Sequence, residues 1–312
     1  MKIAYAFRRS TYYPFEAGAA WSLPDERALS DYLGKVRDIG FDGIELGLDN
    51  FLSGSSNGGL EVDESRVNEV KKRLDDNGTP CVAIRAGGAL CYPQTAAHNR
   101  KRLEKSVEVA SALGADIVNT ALSGPPQNRM LDTGPSGAPE SHGSSQMASQ
   151  EDFIRTAKAL REVGAMAGDN GIDITIEVHQ HSIADNSWST LHLLELADSP
   201  FVHANPDLGN VLWNYDEPEE TMEQCISALA AHSKYWHCKS LNRVHVPELD
   251  HSYYIRVPLP DGDIDYRFAI SAMVEAGYDG YFALEGTNTG DQLYKDRRSV
   301  NYVRGILAEL EA

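Results

Sequence analysis

Two periodicities alternate along the chain: stretches with apolar positions every three or four residues, and short runs of β-branched and aromatic residues. Leu29, Leu33, Val36 and Ile39 recur in the first way ahead of Gly40, as do Leu103, Val107 and Ala110 ahead of Gly114, a spacing that predicts one buried helical face. "GFDGIEL" (Gly40 to Leu46), "GADIVNT" (Gly114 to Thr120), "GIDITIEV" (Gly171 to Val178) and "GYDGYFALE" (Gly277 to Glu285) each place Gly, then Asp, before a strand-like run. Glycine supplies a left-handed helix stop, so each segment predicts a helix-to-strand joint. The pattern predicts strands near 2–7, 42–46, 81–86, 116–120, 172–178, 202–206, 234–239 and 280–285, with helices near 25–39, 63–77, 97–113, 150–169, 187–198, 216–232, 264–276 and 291–310. Eight such alternations predict an α/β fold with an all-parallel sheet, closed as a single (β/α)8 TIM barrel over residues 1–312. An open doubly wound sheet is the alternative; no G-x-G-x-x-G follows the first strand, which weakens a dinucleotide-binding version of it.

One connection breaks the rhythm. Residues 121–150, "ALSGPPQNRMLDTGPSGAPESHGSSQMASQ", are rich in Gly, Pro and Ser and carry neither period. Loops longer than about 12–15 residues are uncommon in compact domains unless functional or disordered. Because the insertion follows the fourth strand, it belongs on the C-terminal face of a barrel, as a mobile insertion or as a lid or subunit-contact loop. His142 and Arg129 within it are candidate substrate contacts.

Composition narrows the partners. Asp+Glu number 46 against Lys+Arg 28, a formal charge of −18, and a chain so acidic, with no basic run, repels a nucleic-acid backbone. The first residues, Met1 to Arg9, are too brief an apolar run for a secretory segment, and nothing later reaches the ~18 apolar residues of a membrane span. A cytoplasmic enzyme that binds neither nucleic acid nor membrane is expected. Cys81, Cys91, Cys225 and Cys238 lack C-x-x-C spacing, the pattern of reduced thiols rather than a zinc site.

In a barrel the chemistry gathers at the C-terminal strand ends. Those ends carry Glu45, Arg85, Asn119, Glu177 with His179, Asp207, His237 with Lys239, and Glu285. In the stretch "ITIEVHQH" (Ile174 to His181), alternation puts Glu177, His179 and His181 on one side of an extended chain. Each residue has an ordinary structural explanation. Glu177 can be an exposed strand end, Asp207 a helix N-cap after Pro206, His237 a hydrogen-bonded core histidine, and Glu285 a turn residue before Gly286. Their joint placement at four successive strand ends argues for more. Three carboxylates brought together without a cation repel one another, whereas with an imidazole they suit a divalent ion of the Mn²⁺, Mg²⁺ or Co²⁺ kind, zinc being possible.

The segments "IEVHQH", "HANPDLGN", "YWHCKSLNR", "VPLPDGDIDY" and "GYDGYFALEG" together resemble the xylose-isomerase-like TIM-barrel superfamily, the sugar phosphate isomerase/epimerase group. The resemblance runs from the first strand to the last helix and is strongest from Gly171 to Gly286. It implies a divalent metal, Mn²⁺ foremost, on Glu177, Asp207, His237 and Glu285. It also implies that Glu177 and Glu285 form the acid/base pair and that Arg243, six residues past His237, contacts the sugar. Two positions depart from the pattern: Asn210 stands where epimerases commonly have histidine, and Lys239 where an aspartate often follows the metal histidine. His179 is an additional candidate base.

The expected activity is that of a divalent-metal-dependent sugar or cyclitol isomerase/epimerase, abstracting a proton next to a carbonyl and passing through a metal-stabilised enediolate. The alternative is a lyase of the same superfamily, similar to inosose dehydratase or to the barrel subunit of a C-glycoside deglycosidase acting on a 3-keto sugar. His179 and the insertion favour the lyase. A metal-free glycoside hydrolase and a non-catalytic sugar-binding subunit lie outside this chemistry. Lys239, Asn210, Glu45 and Arg243 are the expected substrate-binding residues, with Arg8, Arg9, Arg85 and Asn119 as further specificity candidates. The expected partners are a sugar or keto-sugar and further copies of the chain, or a smaller subunit.

Overall fold

The computed structural model describes residues 1–6, 23, 26–53, 59–124, 144–213, 219–249, 251–286 and 291–311. Arg8, Arg9, Arg129 and His142 lie outside them, as does most of the insertion.

Eight strands, β1 (Lys2–Ala6), β2 (Gly43–Gly47), β3 (Cys81–Gly88), β4 (Ile117–Leu122), β5 (Asp173–Glu177), β6 (Val202–Asn205), β7 (Tyr235–Cys238) and β8 (Tyr281–Glu285), form one sheet. They pair in parallel in the spatial order β6-β5-β4-β3-β2-β1-β8-β7. Between the two ends of that order runs a single parallel bridge, Ala204 to Ser233, with Lys234 N–H donating to Ala204 O at 3.3 Å. The sheet is a nearly closed barrel, which excludes the open doubly wound alternative. Around it lie α1 (Glu26–Ile39), α2 (Glu64–Asn77), α3 (Pro93–Leu113), α4 (Gln150–Gly168), α5 (Ser187–Ala197), α6 (Met222–Leu229), α7 (Tyr266–Glu275) and α8 (Gln292–Leu310).

The joints are built as their glycines require: Gly40, Gly114, Gly171 and Gly277 all have positive φ, between 70° and 110°, where a side chain would be strained. Helix starts are fixed by reciprocal capping. Ser149 with Asp152 opens α4, Asn186 with Ser189 opens α5, and Thr221 with Gln224 opens α6. Helix α3 starts at Pro93 rather than near residue 97, because proline in a first turn gives up no helical hydrogen bond. Within the expected insertion, Ala121 and Leu122 extend β4 and Ser144–Met147 form one helical turn.

Alternation along the strands divides two apolar layers. Ile3, Tyr5, Trp236, Phe282 and Leu284 belong to the large core under the helices, whereas Ala4, Ala6, Ala83, Ala283 and Tyr235 form a separate small cluster inside the barrel. The alanines at these inward positions leave volume above them for the long polar side chains of the same faces. A two-stranded antiparallel hairpin, Ser240–Val246 with His251–Val257, rises between β7 and α7. The hydrophobic pattern of the chain did not predict it.

Candidate metal centre

Strand register brings the polar side chains together. Glu177 ends β5 beside Ala121 and Asn205, His237 lies on β7 beside Ala283, and Glu285 ends β8 beside Ala6, which also neighbours Glu45 of β2. Asp207 follows β6 and caps the short helix Leu208–Leu212. Glu177, Asp207, His237 and Glu285 each offer an atom to a group lying within 4.8 Å of one another, at exposures of 2%, 0%, 0% and 6%.

Each of the four is held by neighbours. The Nε2 of His237 lies 2.7 Å from Glu45 Oε2, and Glu45 is itself buried, with Arg85 3.6 Å from its other oxygen. Glu177 Oε2 accepts from Asn119 Nδ2 at 3.0 Å and Oε1 from Asn210 Nδ2 at 3.1 Å. The Asn119 amide is oriented in turn by Thr175 Oγ1 and Asn205 Nδ2, which donate to its oxygen at 3.0 and 2.9 Å. Lys239 Nζ donates to Asp207 Oδ2 and lies 3.3 Å from Glu285 Oε2, which Arg256 also approaches at 3.1 Å. Both cations sit over the Trp213 ring, at 5.7 and 5.3 Å from its centroid.

These contacts set the charge states. Burial, reinforced by Glu285 and Glu177, outweighs Lys239 and raises the Asp207 carboxyl to about 7. Burial would also raise Glu177, but the neighbouring His237 charge holds it well below the usual carboxylate range. Burial opposes a charge on His237, yet Glu45 and Glu177 together raise its pKa well above the ordinary imidazole value. His179 goes the other way: burial lowers its pKa against the pull of Glu177, and its Nδ1 lies 2.7 Å from Gln180 O. A neutral ring with its proton on Nδ1 leaves Nε2 as an acceptor.

The donor set fits a divalent ion. With Nε2 directed at Glu45, the buried Nδ1 of His237 makes no hydrogen bond among the described residues and lies 3.3 Å from Glu177 Oε2 and 3.7 Å from Glu285 Oε1. Raised as its pKa is, His237 carries a proton here in the metal-free protein; once that proton leaves, the Nδ1 lone pair faces the two carboxylates and suits a cation between them. Beside the group opens a cleft of about 340 Å³, lined by Glu177, Glu285 and His179 together with Arg85, Arg102 and Asp49.

The four expected substrate contacts lie in different places. Glu45 is directed at His237 and is buried beneath the cleft. Asn210 binds the carboxylates of both Glu177 and Asp207, the latter at 3.0 Å, and the Val178 carbonyl at 2.9 Å. Lys239 is buried against Asp207. Arg243 is exposed on the hairpin, with Nε donating to Ser252 Oγ at 3.0 Å and its backbone N–H donating to Asp263 Oδ2 at 2.6 Å. A guanidinium at Glu285 comes from Arg256 on the opposing hairpin strand. Alternation in "HSYYIRV" (His251 to Val257) was the available signal, since it puts Arg256 on the same strand face as Ser252 and Tyr254.

Residues 33–304 match the description of the xylose isomerase-like TIM barrel family. The chain belongs to that family. Among solved structures, a xylose isomerase-like TIM barrel protein from Mycobacterium smegmatis in complex with magnesium superposes with a TM-score of 0.72 at 21% identity, covering 93% of this chain and 91% of that one. An L-ribulose 3-epimerase gives 0.71 at 18% identity over 99% and 95% of the two chains. The probable 3-DHS dehydratase of petrobactin synthesis from Bacillus anthracis gives 0.67 at 16%, over 97% and 99%. Inosose dehydratases of Clostridium perfringens are 22% identical over 146 residues, 44% of this chain and 48% of theirs. The match spans about half the length of these curated relatives. The family thus has both epimerases and dehydratases among its neighbours, and no helix among the described residues of this chain is long and apolar enough to cross a membrane.

Proposed function

We propose that this protein is a divalent-metal-dependent isomerase or epimerase of a keto-sugar or cyclitol, with manganese as its ion, held by Glu177, Asp207, His237 and Glu285. The observation that carries the reading is that Glu177 and Glu285, from the two separated strands β5 and β8, both belong to the donor group and both line the adjoining cleft. When bound, the ion supplies a Lewis acid that draws charge from a carbonyl oxygen and acidifies the neighbouring C–H.

The chain's own residues do the rest. One glutamate removes the proton and the other returns one from its side of the cleft; Asn119 and Asn210 fix the Glu177 carboxylate, and Lys239 and Arg256 fix that of Glu285. Positioned acid/base groups of this kind contribute about 10²- to 10⁴-fold. Arg85, near Glu45, and Arg102, bonded to Asp49, line the cleft wall and would turn to bind substrate oxygens.

A second reading, elimination of water from a related keto-cyclitol, is supported by His179. It is a neutral imidazole on the cleft whose Nε2 can take a proton independently of the donor group, and the partial relatives named as inosose dehydratases agree with it.

The experiment is a panel of keto-sugars and keto-cyclitols in heavy water with the Mn²⁺-loaded protein, followed by NMR. Isomerase or epimerase action gives solvent deuterium at the carbon next to the carbonyl in a product of unchanged composition, whereas the dehydratase gives loss of water. Glu177→Gln and Glu285→Gln are each expected to lower turnover by at least about 100-fold with an unchanged circular dichroism spectrum. Near-normal rates in either variant remove that residue from the proton transfer, and full activity in a protein stripped of metal overturns the proposal.

A further inference from the structure

When ionised, the carboxylate of Asp207 is saturated. Oδ1 accepts the backbone N–H groups of Gly209 and Asn210 at 3.0 and 3.3 Å, and Oδ2 accepts Asn210 Nδ2 at 3.0 Å and Lys239 Nζ. An ionised carboxylate offers about four lone-pair sites. A metal ion can therefore take a full place at Asp207 only if one of these donors withdraws. The two backbone donors belong to the first turn of the helix Leu208–Leu212, and Asn210 is anchored by Glu177 and Val178. Lys239 is the donor carried on a flexible stem.

That stem has a prepared path. It crosses Gly209 so closely that a Cβ there would lie 2.4 Å from Lys239 Cγ. The ammonium lies between Asp207 and Glu285, two members of the donor group, and over Trp213. Glu285 also lines the cleft. An ammonium that lets go of Asp207 while staying beside Glu285 thus moves toward the place where substrate binds.

We propose that Lys239 is an internal stand-in for the divalent ion. Its ammonium holds the clustered carboxylates together in the metal-free protein; the ion displaces it from Asp207 on binding, and it then serves at the cleft edge as a hydrogen-bond donor to a substrate oxygen. Metal entry and the arming of this substrate contact are one event. The inference rests on the metal site of the proposed function and adds a competition to it: the protein's own cation and the metal seek the same oxygen, Asp207 Oδ2.

The test is isothermal titration of Mn²⁺ and of Mg²⁺ into the metal-stripped full chain, wild type against Lys239→Met. Methionine keeps an unbranched stem over Gly209 and removes the competing charge. The expected result is metal affinity at least tenfold tighter in K239M, with a lower melting temperature before metal is added. If K239M does not fold without metal, Lys239→Gln is titrated in its place and a smaller tightening is expected. A crystal structure of the wild type with Mn²⁺ supplies the second readout: Lys239 Nζ beyond hydrogen-bonding distance of Asp207 Oδ2. Unchanged or weaker metal binding in the variant titrated overturns the exchange, as does a loaded structure in which Lys239 still donates to that oxygen. A wild type that takes up neither ion overturns the metal site itself, which separates the two failures.

Discussion

A neutral imidazole binds a metal through one nitrogen only when the other carries the proton, and at His237 that arrangement is set by Glu45. The carboxylate lies 2.7 Å from Nε2, so Nδ1 is the nitrogen left for the ion. Partners of this kind typically change metal affinity by about 10- to 100-fold. Glu45→Gln is expected to weaken Mn²⁺ binding by about that factor, measured by competition with a fluorescent chelator, and an unchanged affinity would show that His237 is oriented by other means. Glu45 was legible as a polar strand end, but its target was not. His237 is 192 residues away, and only closure of the barrel brings β2 and β7 to the same interior. Glu177, Asp207, His237 and Glu285 were legible together because each stands at the end of its own strand. Arg243 came from the family resemblance as a sugar contact and stands exposed on the hairpin, whose opposing strand brings Arg256 to Glu285, a contact not foreseen in the sequence.

Among the elements, the joints were the most readable feature. Each glycine that ends a helix is required by backbone geometry alone, and a positive φ leaves few alternatives to it. At Gly277, with φ 79°, a Cβ would meet nothing within 4 Å, so the cost of a side chain there is conformational. Gly277→Ala is expected to destabilise the fold by about 1–2 kcal/mol without changing catalysis, as read by urea unfolding and steady-state rates. Full stability in that variant would mean the α7–β8 joint has another conformation available. The hairpin was the least readable element. Its exposed residues Val244, Tyr253 and Ile255 give an apolar pattern that, without knowledge of what surrounds it, resembles any amphipathic segment.

At the scale of the whole molecule, the candidate centre concentrates charge in a chain that is already at −18. Two groups tie it to pH in the same direction. Asp207 titrates near 7 in the fold against 3.8 for the free side chain, and His237 titrates above its ordinary value. In both, folding favours the protonated form. Their contribution to the stability of the metal-free protein is therefore complete at acidic pH and is lost as pH rises through the folded pKa, from about 4 to about 7 for Asp207. Glu177, with its lowered pKa, acts oppositely, but its contribution is already complete above its unfolded pKa. The melting temperature of the metal-free protein is expected to fall between pH 5 and 8 on account of these groups, while Mn²⁺ affinity rises because the ion must displace both protons. Calorimetry in buffers of different ionisation enthalpy counts the protons released; none released at pH 6 would contradict the assignment. Metal at 100 times its Kd adds about 2.7 kcal/mol to the fold, a shift that a chelator should reverse.

The sequence by itself determined the order of eight strands and helices, the positions of the joints, and the residue types presented at the barrel's C-terminal end. All of these follow from local period and backbone geometry, which act over a few residues. The tertiary structure alone decided which polar groups meet: that Glu45 serves His237, that Asn210 serves the two carboxylates, that Lys239 lies on Asp207, and that Arg256 reaches Glu285. Those pairings depend on how strands far apart in the chain are registered around a closed barrel. A shift of one residue in that register would turn each side chain to the opposite face of its strand.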